Sequence, residues 1–206
     1  MRRRATIALA LAAVLGACQG ATPSGQPGSA VPNGSFPIDP QMSVGPLPSP
    51  TPDDTTPAVI DAALLGYLPE VIEGVPVTEA LDEAALALAD PALPRIATAL
   101  DVGLAVDQAT GNLVTAHVVR LREGAFDQDT YRQWRDSYDE GACTAAGGVK
   151  GRAEATIDER TVFVTSCVGP LRTYHVWIED ERALISASSV GDGRFGELLM
   201  SGLRVE

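Results

Sequence analysis

The chain has 206 residues with 15 basic and 27 acidic side chains, a formal net charge of −12. Ten of its 15 prolines lie between Gln19 and Pro57, so the expected organisation is one domain of about 150 residues behind a leader and a tether. So acidic a surface repels phosphate backbones and argues against a nucleic-acid partner.

Residues 1–17 read as a signal peptide. Arg2, Arg3 and Arg4 precede an uncharged run from Ala5 to Ala17. As a helix that run would span about 20 Å, short of the roughly 30 Å hydrocarbon layer, and it suits the apolar region of a secretory signal. It closes on Leu15-Gly16-Ala17-Cys18. These four residues resemble the lipobox of bacterial lipoproteins, in which an aliphatic residue and two small ones precede a cysteine. The resemblance implies a diacylglyceryl group on the Cys18 thiol and cleavage between Ala17 and Cys18. The mature chain would then be lipid-anchored on the extracytoplasmic face of the cell membrane or envelope. The chemistry is consistent: cysteine supplies the thiolate nucleophile, and two acyl chains anchor stably where one is marginal.

Residues 18–57 read as the lipidated cysteine and a tether. Gln19 to Pro57 is rich in Pro, Gly and Ser and holds few large apolar residues, so it cannot bury enough surface to offset its ordering entropy. Residues 58–206 read as a single α+β domain. Thr56-Pro57 predicts a helix to about Tyr67, and Thr78 is the expected cap of a second helix through EALDEAALALA. Asp90-Pro91 ends that helix and starts a further helical stretch to about Leu100. VGLAVDQ and LVTAHVVRL then flank Ala109-Thr110-Gly111-Asn112 as a hairpin.

Asp127 or Asp129 caps the next expected helix, on which Tyr131, Trp134 and Tyr138 share one face suited to docking on a sheet. The chain from Arg152 to Val190 reads as four antiparallel strands, and Arg194 to Leu203 as a final helix. Strands in runs rather than βαβ units give the α+β class. This meander with its terminal helix, Gly151 to Leu203, is similar to the end of small extracytoplasmic lipoprotein domains of bacteria, a resemblance that implies no activity.

With Cys18 lipidated, Cys143 and Cys167 form an even pair in an exported chain, for which a disulfide is expected. A reactive thiol or a metal pair is the alternative, but there are only two histidines and no C-x-x-C. No catalytic residues are assigned: G-x-S-x-G and S-x-x-K are missing, His117 and His175 both fall inside strands, and no nucleotide-binding loop appears. No metal site is expected either, since H-E-x-x-H is absent and the Asp127/Asp129 pair fails the calcium-loop pattern at Tyr131 and Arg132. No cofactor is implied. Glu179, Asp180 and Glu181 read as a solvated turn.

Trp177 shares a strand face with Thr173 and His175, opposite Tyr174, Val176 and Ile178. If helices cover only the Tyr174 face, His175 and Trp177 form a candidate binding face. Function is therefore expected to be that of a membrane-tethered, non-enzymatic module binding a small ligand or an envelope protein. The alternative is a cell-envelope hydrolase with carboxylates as acid and base, which requires a cleft of convergent carboxyls with one pKa raised; a ligand-free spacer also remains open.

Overall fold

The computed structural model describes residues 56–205. The lipobox with Ala17 and Cys18, and the tether as far as Thr55, lie outside the described residues. The chain runs β1 (Val59–Ile60), a 3-10 helix (Ala62–Tyr67), β2 (Val71–Ile72), β3 (Val75–Pro76), β4 (Thr78–Glu79), α1 (Leu81–Leu88) and α2 (Leu93–Ile96). It continues with β5 (Ala97–Asp107), β6 (Asn112–Leu121), α3 (Gln128–Thr144), β7 (Val149–Ile157), β8 (Arg160–Cys167), β9 (Arg172–Ile178), β10 (Ala183–Val190) and α4 (Phe195–Ser201).

Eight strands form one sheet in the order β1-β5-β6-β10-β9-β8-β7, with β4 also paired to β5. Every pairing is antiparallel except β1 on β5. This is an α+β fold. Its sheet separates two cores. On one face the 3-10 helix and α4 pack Leu64, Leu68, Phe195, Leu199 and Met200 against Val114, Val118, Tyr174 and Ile185. On the other, α1, α2 and the start of α3 pack Ala84, Leu93 and Tyr131 against Leu100, Val102, Val119 and Leu184. Both faces of β9 are consequently buried, which is why Thr173 through Val176 are all inaccessible.

Local chemistry explains the elements that follow the sequence. Gly111, at φ 78°, closes the β5–β6 turn in a conformation that other residues resist. The Asp127 carboxylate accepts from the Thr130 amide at 2.7 Å and starts α3, and its backbone bonds hold its pKa below the usual carboxylate range. Asp129 pairs with Arg132 one turn on, at 3.2 Å. Cys143 and Cys167 form the expected disulfide, their Cα atoms 5.1 Å apart, fastening the end of α3 to β8.

The N-terminal part departs from expectation. The segment after Pro57 is not one helix: Val59 and Ile60 pair in parallel with Ala99 and Leu100, and Asp61 then caps the 3-10 helix through the Ala63 amide. Thr78 lies in β4 and its hydroxyl bonds Leu104 rather than capping α1, which starts after Ala80. The helical stretch expected to reach Leu100 stops at Ile96, where pairing with β6 draws Ala97 onward into a strand.

Candidate functional site

α3 is too polar to dock by apolar contact alone, and it is held on the sheet in three ways. Near its start, Tyr131, Phe126, Trp177 and Phe163 form an aromatic cluster with centroids 5.3–6.2 Å apart. At its end stands the disulfide. Between them lies a layer of buried polar groups, and its hub is Asp139.

Asp139 is inaccessible, yet its carboxylate is fully engaged. Its Oδ1 accepts from Thr173 Oγ1 and from His175 Nε2, the latter at 2.9 Å. Its Oδ2 accepts from Thr165 Oγ1 at 2.5 Å and from Arg152 Nε at 3.4 Å. Burial pushes the Asp139 pKa upward, but the bonds from His175, Thr165 and Thr173 outweigh it and hold the carboxyl below its ordinary value. On the other side of the ring, His175 Nδ1 lies 2.9 Å from Ser186 Oγ, which accepts from Trp134 Nε1 at 3.0 Å. The donors run in one direction when His175 carries its proton on Nε2: indole to serine, serine to imidazole, imidazole to carboxylate.

This is a serine–histidine–aspartate chain, but not one arranged for hydrolysis. A hydrolytic triad places aspartate on Nδ1 and serine on Nε2, and it exposes the serine to substrate. Here the two nitrogens are exchanged and Ser186 is only 1% exposed. The arrangement ties α3 to β8, β9 and β10.

His117 sits beside this layer, with Nδ1 3.2 Å from the Tyr138 hydroxyl, which is also 3.1 Å from Ser188 Oγ. Burial pushes the His117 pKa down to about 4 and that of Tyr138 up to about 12. The candidate binding face of His175 and Trp177 is closed: α3 covers it, leaving His175 with no exposure and Trp177 half-buried against Phe126 and Tyr131. Helices cover both faces of β9, not the Tyr174 face alone. Of the acidic turn, Glu181 accepts from the Tyr67 hydroxyl at 2.8 Å. Among the described residues no three His, Cys, Asp or Glu side chains are placed to hold a metal.

One carboxyl has the raised pKa that an acid would need. Asp101 is inaccessible, burial pushes its pKa up, and its Oδ2 has no hydrogen-bond partner. It lies on the 3-10 helix side of β5, opposite Val118, and is sealed from solvent.

An open trough of about 1000 Å³ lies between β7 and α4. Its lining is mixed: Ala153, Ala155, Ile157 and Val164 from the sheet and Phe195 and Leu198 from α4 are apolar, while Glu73, Asp107, Arg194 and Glu197 are charged and Asn112, Thr156 and Ser201 are polar. The small side chains of β7 create it, since alanines leave unfilled the space that larger residues would occupy.

Sequence reasoning missed both features. Asp139 had a readable signal: it is one helical turn before Cys143 and next to Tyr138, so it shares the sheet-facing side of α3. The trough had none, because it depends on where α4 returns over the sheet.

Together these features define a mixed-sheet α+β domain with a sealed polar layer on one face and an open trough of mixed lining on the other. No protein-family model, curated protein or solved structure matches the chain.

Proposed function

We propose that the chain is a lipid-anchored extracytoplasmic binding module, tethered through Cys18, whose ligand or envelope partner inserts an apolar group into the trough between β7 and α4. The observation that supports this reading is the separation of chemistry from access. The serine–histidine–aspartate chain and the raised-pKa carboxyl of Asp101 are sealed, while the trough sets an apolar strip along β7 and α4 beside charged groups of both signs. An apolar strip flanked by polar groups suits the binding and orientation of an amphipathic ligand. The ligand class that fits is an apolar body carrying a polar group able to meet Arg194 or Glu73.

The test is titration of the chain with an acyl-chain fluorophore. The expected result is a saturable rise in emission that Ala155→Trp, which fills the trough, abolishes without lowering the unfolding temperature. Emission unchanged by the protein, or equal for the variant, would refute the site. Anchoring is tested separately: Cys18→Ala is expected to lose incorporation of labelled fatty acid, and retained label would refute the lipobox reading.

A further inference from the structure

The two edges of the sheet differ. On the β5 side, β1 and β4 cover the outer strand. On the other side, β7 pairs with β8 alone among the described residues, and the stretch from Lys150 to Glu154 is exposed. A long open edge is a template for another strand, and the pattern along β7 shows which strand fits.

We propose that β7 pairs antiparallel with β7 of a second copy about a twofold axis at Ala153. In an antiparallel pair, opposed residues share a face, so the axis must pass through a residue. At Ala153 it sets Arg152 opposite Glu154 of the other copy, twice by symmetry, Gly151 opposite Ala155, and Ala153 opposite itself. Moving the axis to Arg152 opposes two arginines, and moving it to Glu154 opposes two glutamates, both unfavourable. Moving it to Ala155 faces Glu154 with Thr156, leaving Glu154 without a cation, and sets Arg152 against Asp158 in the turn beyond the end of β7.

Glu154 makes no ion pair among the described residues, so it is available to Arg152 of the second copy, whose Nε alone is taken up by Asp136 and Asp139. The irregularity between Val149 and Gly151 in the β7–β8 pairing limits regular self-pairing to Gly151–Ala155. The axis stands perpendicular to the sheet, so each copy's trough falls on the same face and the two meet along Ala153 and Ala155. Self-pairing does not depend on the trough taking a ligand.

The test uses the full chain carrying Cys18→Ser, so that an added cysteine is the one thiol outside the disulfide. Sedimentation velocity is expected to show a dimer, and Glu154→Lys is expected to weaken it at least about tenfold at unchanged unfolding temperature, because opposed like charges are unfavourable. Under mild oxidation Ala153→Cys is expected to cross-link to itself, since opposed Cα atoms lie about 4.5–5.5 Å apart. Ala155→Cys is not, because its symmetry mate lies about 13 Å away along the strands. A chain that stays monomeric at about 1 mM would overturn self-pairing and leave the edge to a strand of another protein. A dimer that tolerates Glu154→Lys, or one in which both cysteines cross-link equally, would overturn the register.

Discussion

His175 Nε2 lies 2.9 Å from Asp139 Oδ1, and neither side chain is accessible to solvent. This contact joins β9 to α3 and carries the rest of the polar layer with it. Asp139→Ala is expected to strand three donors, Thr165, Thr173 and His175, without their acceptor. The cost should be about 3–5 kcal/mol, read as a lower denaturation midpoint at unchanged slope. Ser186→Ala leaves Trp134 Nε1 and His175 Nδ1 without their shared partner and should cost about 1–3 kcal/mol. A serine-directed phosphonate is expected to leave Ser186 unlabelled, because the hydroxyl is sealed in the folded chain and has no activating base in the unfolded one.

Acid should loosen the domain in two stages. His117 has a folded pKa of about 4 against an ordinary value of 6.5, so below pH 6.5 the unfolded chain takes up a proton that the fold refuses. Its contribution, of the order of 2–3 kcal/mol, is full above pH 6.5 and is lost as pH falls toward 4. His117→Gln should flatten that part of the stability profile. Asp139 adds a second loss at lower pH, since its carboxyl is held below the ordinary range and its contribution disappears as pH falls through the folded value.

Asp101 has the opposite sign. Its raised pKa means that its contribution is full below the ordinary carboxylate value, about 3.9, and is lost as pH rises through the folded one. Asp101→Asn keeps the shape without the charge and should stabilise the chain near neutral pH by about 1 kcal/mol in urea unfolding.

How much of this was legible in the sequence follows from where local and tertiary preferences agree. From Asp101 onward they agree. Thr110-Gly111-Asn112 turns the hairpin, Asp127 caps α3, the meander alternates as read, and Cys143 and Cys167 meet. Before Asp101 they conflict. Val59 and Ile60 are as suited to a strand as to a helix, and the open side of β5 takes them into the sheet. Ala97-Thr98-Ala99-Leu100 has helical composition, yet pairing with β6 and packing beneath α1 decide for β. The α+β class and the aromatic docking face of α3 were readable because they rest on periodicity. The closure over His175 and Trp177 was not, because it depends on a second helical layer crossing the same strand.

Reduction of the Cys143–Cys167 bridge, or its replacement by alanines, should cost about 3 kcal/mol for a loop of 24 residues. Hydrogen exchange should rise first over the last turns of α3, while the aromatic cluster at Tyr131 keeps its start protected. Equal exchange along the helix would mean that the bridge does not hold its end.

Gly196 lies against the Tyr174 ring so closely that an added Cβ would overlap it. Gly196→Ala should therefore push α4 off the sheet at a cost of about 1–3 kcal/mol. Because α4 forms one wall of the trough, the same substitution should weaken binding of the acyl fluorophore more than it lowers the unfolding temperature would suggest. An exposed change on α3, such as Gln133→Ala, should leave both unaltered within about 0.5 kcal/mol.

The most direct measurement of the binding reading is photocross-linking of the purified full chain with a diazirine-bearing acyl probe, followed by mapping of the modified peptides. The expected result is label concentrated on Ala153–Val164 and on Phe195–Leu198, with Ala155→Trp removing it. Label spread evenly over the surface, or concentrated on α3, would contradict the assignment of the trough.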